Sequence, residues 1–331
     1  MTEYPKSNET GKRPPPPHPG LDLVRATEAA ALAGGRYMGR DDRHGADHAA
    51  QDAMAAALDL MSMKGRIICG EEGRIGGSSP LDSQCMVGNG TGPELDVEVN
   101  AIDGAGLVAD GKSGALSVAA FAPPGALWRP GPAVYMDKLV VDRTVADSIG
   151  PDALDAPTGW VLATVARAKN KDVQDVVVFI VDRPRHKQLI HDVRQAGARV
   201  FVRTGGDVGG ALLAADAASP VDIMLGIGGV AEGLITACAV KALGGAMLGR
   251  VAPQSQDERQ ACLDGGIDMD RILSCGDMVT GDEVYFAATG ITDGLLLHGV
   301  RYHGDFVDTQ SMVLRFETGT RRIITTEHRV K

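Results

Sequence analysis

The chain has 331 residues, a formal net charge of −10 at pH 7 and a hydrophobic fraction of 44%; this length suits one large α/β unit or two ordinary domains. An acidic chain of this kind argues against a general nucleic-acid or membrane-surface partner. Five cysteines without C-x-x-C spacing predict no zinc site or disulfide framework, and the absence of a signal peptide or an 18-residue apolar run predicts a cytoplasmic protein.

The N-terminal part of the sequence predicts a leader and two helices. Residues 1–20 contain Pro14–Pro17 and Pro19 and predict a disordered or polyproline-like leader. Leu21 to about Arg40 is rich in alanine, with an apolar spacing near 3.6, and predicts a helix. A second helix is predicted from Asp47 to about Met61, and an Asp at the start of a helix is commonly its N-cap.

Two acidic turns follow predicted strands. Asp96–Asn100 alternates apolar residues with acidic or amide residues, which predicts a half-buried strand, and the Gly-containing turn after it carries Asp103. Gly65–Gly73 predicts a buried strand that runs into a second acidic turn. Oxygen side chains at the end of a strand suit Mg²⁺ or Mn²⁺, although an acidic strand edge and a tight turn explain the same residues.

The remainder of the chain predicts an α/β arrangement. Strands are predicted at 115–122 and 135–141, and a linker at 152–159. Strands and helices then alternate, with strands at 176–182, 199–203 and 221–225, helices at 186–197, 208–217 and 231–243, and last strands at 284–288 and 312–316. We therefore divide the chain into the leader 1–20, an α+β half at 21–155 that carries the candidate metal ligands, and an α/β half at 156–331.

Three turns of the second half are candidate phosphate-binding turns. Arg183–His186 places two guanidinium groups directly after a strand, where they can grip an anion. Gly205–Asp207 and Gly226–Gly229 precede predicted helices, whose N-terminal N–H groups attract anions. A tight turn explains any one glycine run, whereas several of them beside two arginines favour a phosphorylated ligand.

With these residues in place, the chain from about Leu21 to Arg322 resembles the class II fructose-1,6-bisphosphatases. The matching motifs, in chain order, are Gly39-Arg40, Ala46-Asp47, Gly70-Glu71, Tyr135-Met136-Asp137-Lys138, Arg183-Pro184-Arg185-His186, Gly226–Gly233 and Ala287–Gly294. The resemblance implies an α/β fold, the layered α-β-α-β-α sandwich of the sugar phosphatases with two sheets. It also implies a phosphorylated sugar or polyol as substrate and a homodimer or homotetramer.

The resemblance also implies a set of site residues, carried over by position. The metal ligands would be Asp47, Glu71, Asn100, Asp103 and Glu232, with Mg²⁺ or Mn²⁺ as the cofactor. The substrate-binding residues would be Asp103, Gly104, Ala105, Tyr135, Lys138, Arg183, Arg185, Gly205, Gly206, Asp207 and Gly229. The catalytic residues would be Glu71, Asp103 and Ala105.

The chain departs from the family pattern at the predicted catalytic and metal-binding positions. Asn100–Ala105 stands where the family has Asp-Pro-(Ile/Leu)-Glu-Gly-Thr, so Asn100 brings no negative charge, Asp103 is a shorter carboxylate and Ala105 lacks a hydroxyl. The turn at 70–81 has lost an acidic pair, and Gly205 replaces an Asp. We expect weakened or lost metal binding, and hydrolysis slower by about 10²–10⁴-fold, because such groups position and activate water.

Three hypotheses follow from retained phosphate-binding residues beside an altered water site. The first is a divergent metal-dependent phosphatase acting on a sugar phosphate or bisphosphate. The second is a phosphosugar lyase, an isomerase or a tailoring enzyme of specialised metabolism. The third is a catalytically inactive paralogue that binds a phosphosugar.

Overall fold

Two β-sheets alternate with three layers of helices in the computed structural model, which describes residues 19–72 and 77–329. The helices are α1 (Pro19–Gly35), α2 (Arg43–Asp59), α3 (Ala105–Ala109), α4 (Thr158–Ala168), α5 (Lys187–Gln195), α6 (Asp207–Ala215), α7 (Val230–Leu243), α8 (Gln256–Asp264) and α9 (Cys275–Met278). Short 3₁₀ turns lie at Ala146–Ser148, Pro151–Leu154, Val173–Asp175 and Pro184–His186.

The first sheet is built from both ends of the described chain. Its strands are β1 (Lys64–Ile67), β2 (Met86–Val87), β3 (Glu94–Asp103), β4 (Leu116–Ala122), β11 (Tyr285–Gly290), β12 (Arg301–His303), β13 (Phe306–Arg315) and β14 (Thr320–Arg329). Their spatial order is β12-β13-β11-β4-β3-β1-β2, and β14 pairs with β13. The parallel pair β1–β3 brings the two predicted acidic turns to the same end of this sheet.

The second sheet holds the candidate phosphate-binding residues. Its strands are β5 (Tyr135–Val141), β6 (Val177–Val181), β7 (Arg199–Arg203), β8 (Ile223–Gly229), β9 (Ala246–Val251) and β10 (Leu273–Ser274), in the order β10-β9-β5-β8-β6-β7. β6 is parallel to both β7 and β8, so these three strands end at one edge.

The layered α-β-α-β-α fold predicted from the resemblance is confirmed. α1 and α2 cover one face of the first sheet, α6 and α7 lie between the sheets, and α4 and α5 cover the outer face of the second sheet. Buried apolar side chains fill each interface, exemplified by Phe121 under α1, Leu234 between the sheets and Val161 on the outer face. Small residues allow the central helices to approach closely, since a Cβ on Gly210 of α6 would overlap the Phe179 ring.

Two predicted helix starts differ from the structure. α1 is helical from Pro19, the first described residue, and so includes the last two residues of the predicted leader. α2 begins at Arg43 rather than Asp47, and Asp42 is its N-cap, accepting the N–H of Gly45 at 2.8 Å. Asp47 therefore lies inside the helix and does not cap it.

The predicted turn at Gly226–Gly229 was also wrong. These residues continue β8 and pair with Tyr135–Lys138 of β5, so α7 begins only at Val230. Glycine has no side chain, which allows this close packing, because a Cβ on Gly228 would overlap the Asp207 carboxylate. The glycines bring the strand close to its neighbours and do not form a loop before the helix.

The two predicted halves do not coincide with the two sheets. β5, from the predicted α+β half, belongs to the second sheet, and β11–β14, from the predicted α/β half, complete the first. The division at 155/156 stays a prediction, and residues 1–18 of the predicted leader lie outside the described residues. Within the described ranges, no helix is long and apolar enough to cross a membrane.

Candidate active site

A cleft of ≈ 830 Å³ opens where β3 of the first sheet meets β6 and β8 of the second. Short segments from distant parts of the chain form its walls. Predicted site residues on these walls are Asp103, Gly104, Ala105, Tyr135, Arg183, Arg185, Gly205, Gly206, Asp207, Gly229 and Glu232. The fold therefore brings most of the predicted set to a single cleft between the sheets.

Asp103 is a buried carboxylate that holds the start of α6. Its Oδ1 accepts the N–H of Asp207 at 3.0 Å, and its Oδ2 accepts the N–H of Gly209 at 2.8 Å. Burial raises the pKa of Asp103 to about 7, the charges of Asp207 and Glu232 add to this rise, and the backbone N–H groups of α6 oppose it. Because Asp103 already accepts hydrogen bonds from these N–H groups, we infer that few N–H groups at the start of α6 are left to bind a phosphate.

Glu232 lies on the cleft wall in the first turn of α7. Gly229 makes room for it, since a Cβ at that position would overlap the Glu232 carboxylate. The charge of Glu232 raises the pKa values of Asp103, Cys69 and Glu98, although burial is the larger cause in each case. Glu232 is thus within electrostatic range of the buried acid at the end of β3.

The other three predicted metal ligands are buried and contribute no surface to the cleft wall. Glu71 accepts the N–H of Ala101 at 2.7 Å, which ties the turn after β1 to the end of β3. Asp47 lies 4.0 Å from Nε of Arg43, an arginine on the cleft wall. Asn100 is 1% exposed on β3, and neither atom of its amide group has a hydrogen-bond partner.

The acidic side chains at the cleft are spaced widely enough to suit a divalent cation that keeps part of its water shell. Across residues 19–72 and 77–329, three acidic or histidine ligand atoms lie within 4.8 Å of one another only at His303, Asp308 and Glu327, on the outer strands of the first sheet. The cleft acids are spread more widely. Mg²⁺ usually keeps several waters and takes one or two carboxylates plus substrate phosphate oxygens, so oxygen groups here, including the unpartnered Asn100 amide, fit a hydrated divalent cation.

Two arginines, Arg183 and Arg185, also line the cleft. Nη1 of Arg183 donates to the carbonyls of Asp182 and Thr204, both at 2.8 Å. Nε and Nη2 of Arg185 donate to the Ile227 carbonyl at 3.1 and 2.8 Å, and its guanidinium carbon lies 5.0 Å from the Tyr135 ring centroid. Backbone carbonyls thus fix both positive groups on the cleft wall, where they can bind an anion.

Lys138 does not reach the cleft wall. It is 1% exposed, and its ammonium group pairs with Asp207, whose backbone N–H in turn binds Asp103. The observed partner of Lys138 is the carboxylate at the start of α6, and its predicted contact with a phosphate stays a prediction. It acts here as a buried support for α6.

His186 connects the arginine turn to β8. Its Nδ1 lies 2.6 Å from the Val181 carbonyl, which can only accept, so Nδ1 carries the proton. Its Nε2 accepts the N–H of Ile227 at 2.8 Å, and the ring is therefore neutral. Burial lowers the pKa of His186, and the nearby Arg185 charge lowers it further.

Acidification should weaken the fold through His186. A histidine with a lowered folded-state pKa stabilises the protein fully above its unfolded pKa of about 6.5 and loses that contribution as pH falls through the folded value. We expect the urea unfolding free energy to fall between pH 7 and 5 more steeply in the wild type than in His186→Gln. His191→Gln, a change at an exposed histidine of α5, serves as the control and should leave the wild-type slope unchanged.

Sequence reasoning missed several groups at this site. Arg43 and Glu72 line the cleft, and Glu98 is a fully buried acid whose side chain binds the N–H of Cys69, another residue on the cleft wall. The period-2 alternation of β3 was a usable signal for Glu98, because it places Glu98 on the same face as Asn100. No comparable pattern marked Arg43, which is the first residue of α2.

Acidic side chains and arginines that line one cleft are typical of a class of protein, the hydrolases of phosphorylated small molecules that work with a divalent cation. Residues 18–328 match the family model described as bacterial fructose-1,6-bisphosphatase, glpX-encoded. The chain belongs to this family, the class II fructose-1,6-bisphosphatases, which are phosphoric monoester hydrolases of carbohydrate metabolism. Membership implies a divalent cation requirement.

Curated relatives cover nearly the same span. The chain is 37% identical over 319 residues to "Fructose-1,6-bisphosphatase 2 class 2" of Escherichia coli (strain K12), covering 92% of this chain and 98% of that protein. It is 34% and 33% identical, each over 333 residues, to proteins named "D-fructose 1,6-bisphosphatase class 2/sedoheptulose 1,7-bisphosphatase" from Synechococcus sp. (strain JA-3-3Ab) and Trichodesmium erythraeum (strain IMS101). Both matches cover 93% of this chain and 95% of the relative. These relatives agree with the family predicted from the motifs.

Proposed function

We propose that this chain hydrolyses one phosphate ester of a ketose bisphosphate, such as fructose 1,6-bisphosphate, with Mg²⁺ or Mn²⁺ as the cofactor. The observation that supports this most directly is that two acids, Asp103 and Glu232, and two arginines, Arg183 and Arg185, line the same cleft. We call the surface formed by the acids the acidic wall and the surface formed by the arginines the arginine wall. A substrate with two phosphates can place one at each wall, whereas a monophosphate fills only one of them.

The arginine wall would hold the phosphate that does not react. Arg183 and Arg185 are fixed by carbonyls of Asp182, Thr204 and Ile227, so little side-chain freedom is lost when the anion binds. Tyr135 lies beside Arg185 on the same wall and can cover the sugar. This wall therefore supplies binding energy and orientation rather than chemistry.

The acidic wall would hold the cation and the reacting phosphate. Asp103 and Glu232 face the cleft, and Asp47, Glu71 and Asn100 lie buried behind them as further ligands. A bound divalent cation activates water and neutralises charge that develops on the phosphoryl group. Ala105 offers no hydroxyl to orient that water, so we propose a turnover lower than a Thr at this position would allow.

Phosphate release from a substrate panel tests the proposal. The panel contains fructose 1,6-bisphosphate, sedoheptulose 1,7-bisphosphate and the corresponding monophosphates, each with Mg²⁺, with Mn²⁺ and with EDTA. We expect release from the bisphosphates only when a cation is present, and slower release from the monophosphates because the arginine wall is not filled. Background rates with every substrate and cation would contradict the proposal.

The family and the relatives support hydrolysis, and no observation favours a lyase, an isomerase or an inactive paralogue. A cytoplasmic location and assembly into a homodimer or homotetramer stay predictions. Light scattering of the purified chain distinguishes the two oligomers from a monomer of 34.5 kDa.

A further inference from the structure

Glu98 is a fully buried acid that the predicted ligand set does not include. It is 0% exposed near the middle of β3. Its Oε2 accepts the N–H of Cys69 at 3.0 Å, while its Oε1 has no hydrogen-bond partner. A buried carboxylate oxygen without a partner is costly unless a cation or a proton compensates it.

Glu98 and Asn100 point to the same side of the first sheet. They pair with Ala120 and Val118 of β4, and those two residues belong to the apolar layer between the sheets. The alternate residues Val97, Val99 and Ala101 pack instead under α1 and α2. The unpartnered Glu98 oxygen and the unpartnered Asn100 amide therefore share one face, two residues apart.

This shared face packs against α7, the helix that carries Glu232. Thr236 follows one turn after Glu232, is 1% exposed, and also has an unpartnered hydroxyl. Glu232, Glu71 and Glu72 are all within electrostatic range of Glu98. Further negative charge therefore lies near Glu98, with oxygen groups on both β3 and α7.

We propose that Glu98 is a ligand of the divalent cation at this site, with the Asn100 side-chain oxygen beside it on β3. Asn100 is a neutral ligand, so the negative charge on this strand face would come from Glu98 instead. A buried water could donate to Oε1, but it would leave the surrounding negative charges uncompensated. A hard divalent cation meets both needs, because it prefers oxygen ligands and carries the opposite charge.

The proposal rests on the proposed function for the position of the cation but makes a separate claim about this residue. It places one ligand deeper than Asp103 and Glu232, which line the cleft. A hydrated cation held between α7 and β3 could then use Glu232 from the helix and Glu98 from the strand.

Binding of Mn²⁺ to the purified full chain in the absence of substrate tests the assignment of Glu98 as a ligand. Titration calorimetry and the spin-resonance signal of Mn²⁺ both measure this binding. Glu98→Gln keeps an acceptor for the Cys69 N–H and removes the charge. We expect the Mn²⁺ dissociation constant to rise at least about 10-fold in Glu98→Gln. The double variant Glu98→Gln with Asn100→Asp returns a carboxylate to the same strand face and should recover most of that loss.

Asp96→Asn is the matched control. Asp96 is a buried acid on the same face of β3, but Oδ2 accepts the N–H groups of Gly125 and Leu127 at 2.8 and 3.3 Å. Its substitution should leave the Mn²⁺ affinity unchanged. Circular dichroism and the melting temperature show that each variant is folded.

Two outcomes would overturn the proposal. One is a folded Glu98→Gln with wild-type Mn²⁺ affinity while Glu232→Gln binds weakly, which removes Glu98 from the ligand set and leaves the proposed function intact. The other is a wild-type chain that binds no Mn²⁺ at all. Phosphate release in the substrate panel is measured independently, so failure of the proposed function is distinguished from failure of this assignment.

Discussion

Glu232→Gln is expected to lower kcat/KM for fructose 1,6-bisphosphate by at least about 10²-fold, the size of effect seen when one electrostatic stabiliser of a transition state is lost. Glu232 lies on the cleft wall, and its charge acts on Asp103 and on the buried Glu98. Glutamine keeps the volume that Gly229 accommodates. The loss should therefore come from missing charge and not from disturbed packing, and it should be measured at saturating Mg²⁺ and Mn²⁺.

Asp257→Asn is the control for this variant. Asp257 is an exposed acid in the first turn of α8, as Glu232 is an acid in the first turn of α7, so both changes remove the same favourable interaction with a helix N-terminus. The control should keep wild-type activity. If Glu232→Gln also keeps it, this carboxylate has no part in the reaction.

Arg185→Met should have the second large effect, and it should depend on the substrate. Hydrogen bonds to charged groups contribute about 1.5–3 kcal/mol, which corresponds to a loss of roughly 10–150-fold in kcat/KM for fructose 1,6-bisphosphate. The loss should appear mainly in KM, because the arginine wall binds the phosphate that does not react. For a monophosphate that reacts at the acidic wall, kcat/KM should stay close to the wild-type value.

Arg199→Met provides the comparison for Arg185→Met. Arg199 lies in the same sheet, on β7, and its guanidinium group is 3.7 Å from Asp175, outside the cleft. Its replacement should leave kcat/KM unchanged for both the bisphosphate and the monophosphate. Equal losses with mono- and bisphosphates in Arg185→Met would assign this arginine to the reacting phosphate instead.

The predictable parts of the fold were those with a strong local pattern. Tyr135–Val141 and Arg199–Arg203 were placed with their observed bounds, because each contains a short run of Leu, Val or Phe between clear breaks. α4 was not predicted, and its first two residues, Thr158 and Gly159, fall within the predicted linker at 152–159. Pro157 is the residue before the first helical turn, where proline costs nothing.

The site was predictable as a set of residues but not as a geometry. Motif positions placed Asp103, Arg185 and Glu232 together, and all three line one cleft. Nothing in the local sequence indicated that Lys138 would pair with Asp207, or that Asp103 would bind the start of α6. Those contacts join strands and helices that are far apart in the chain, and only the packing of the two sheets determines them.

The bonds between Asp103 and α6 have a mechanical consequence. Asp103 belongs to the first sheet, and Asp207 of α6 is paired with Lys138 of the second. The two sheets are therefore joined through α6. Moving them apart would break both backbone hydrogen bonds to the Asp103 carboxylate. We expect ligand entry to proceed by side-chain movement at the rim rather than by rotation of one sheet against the other.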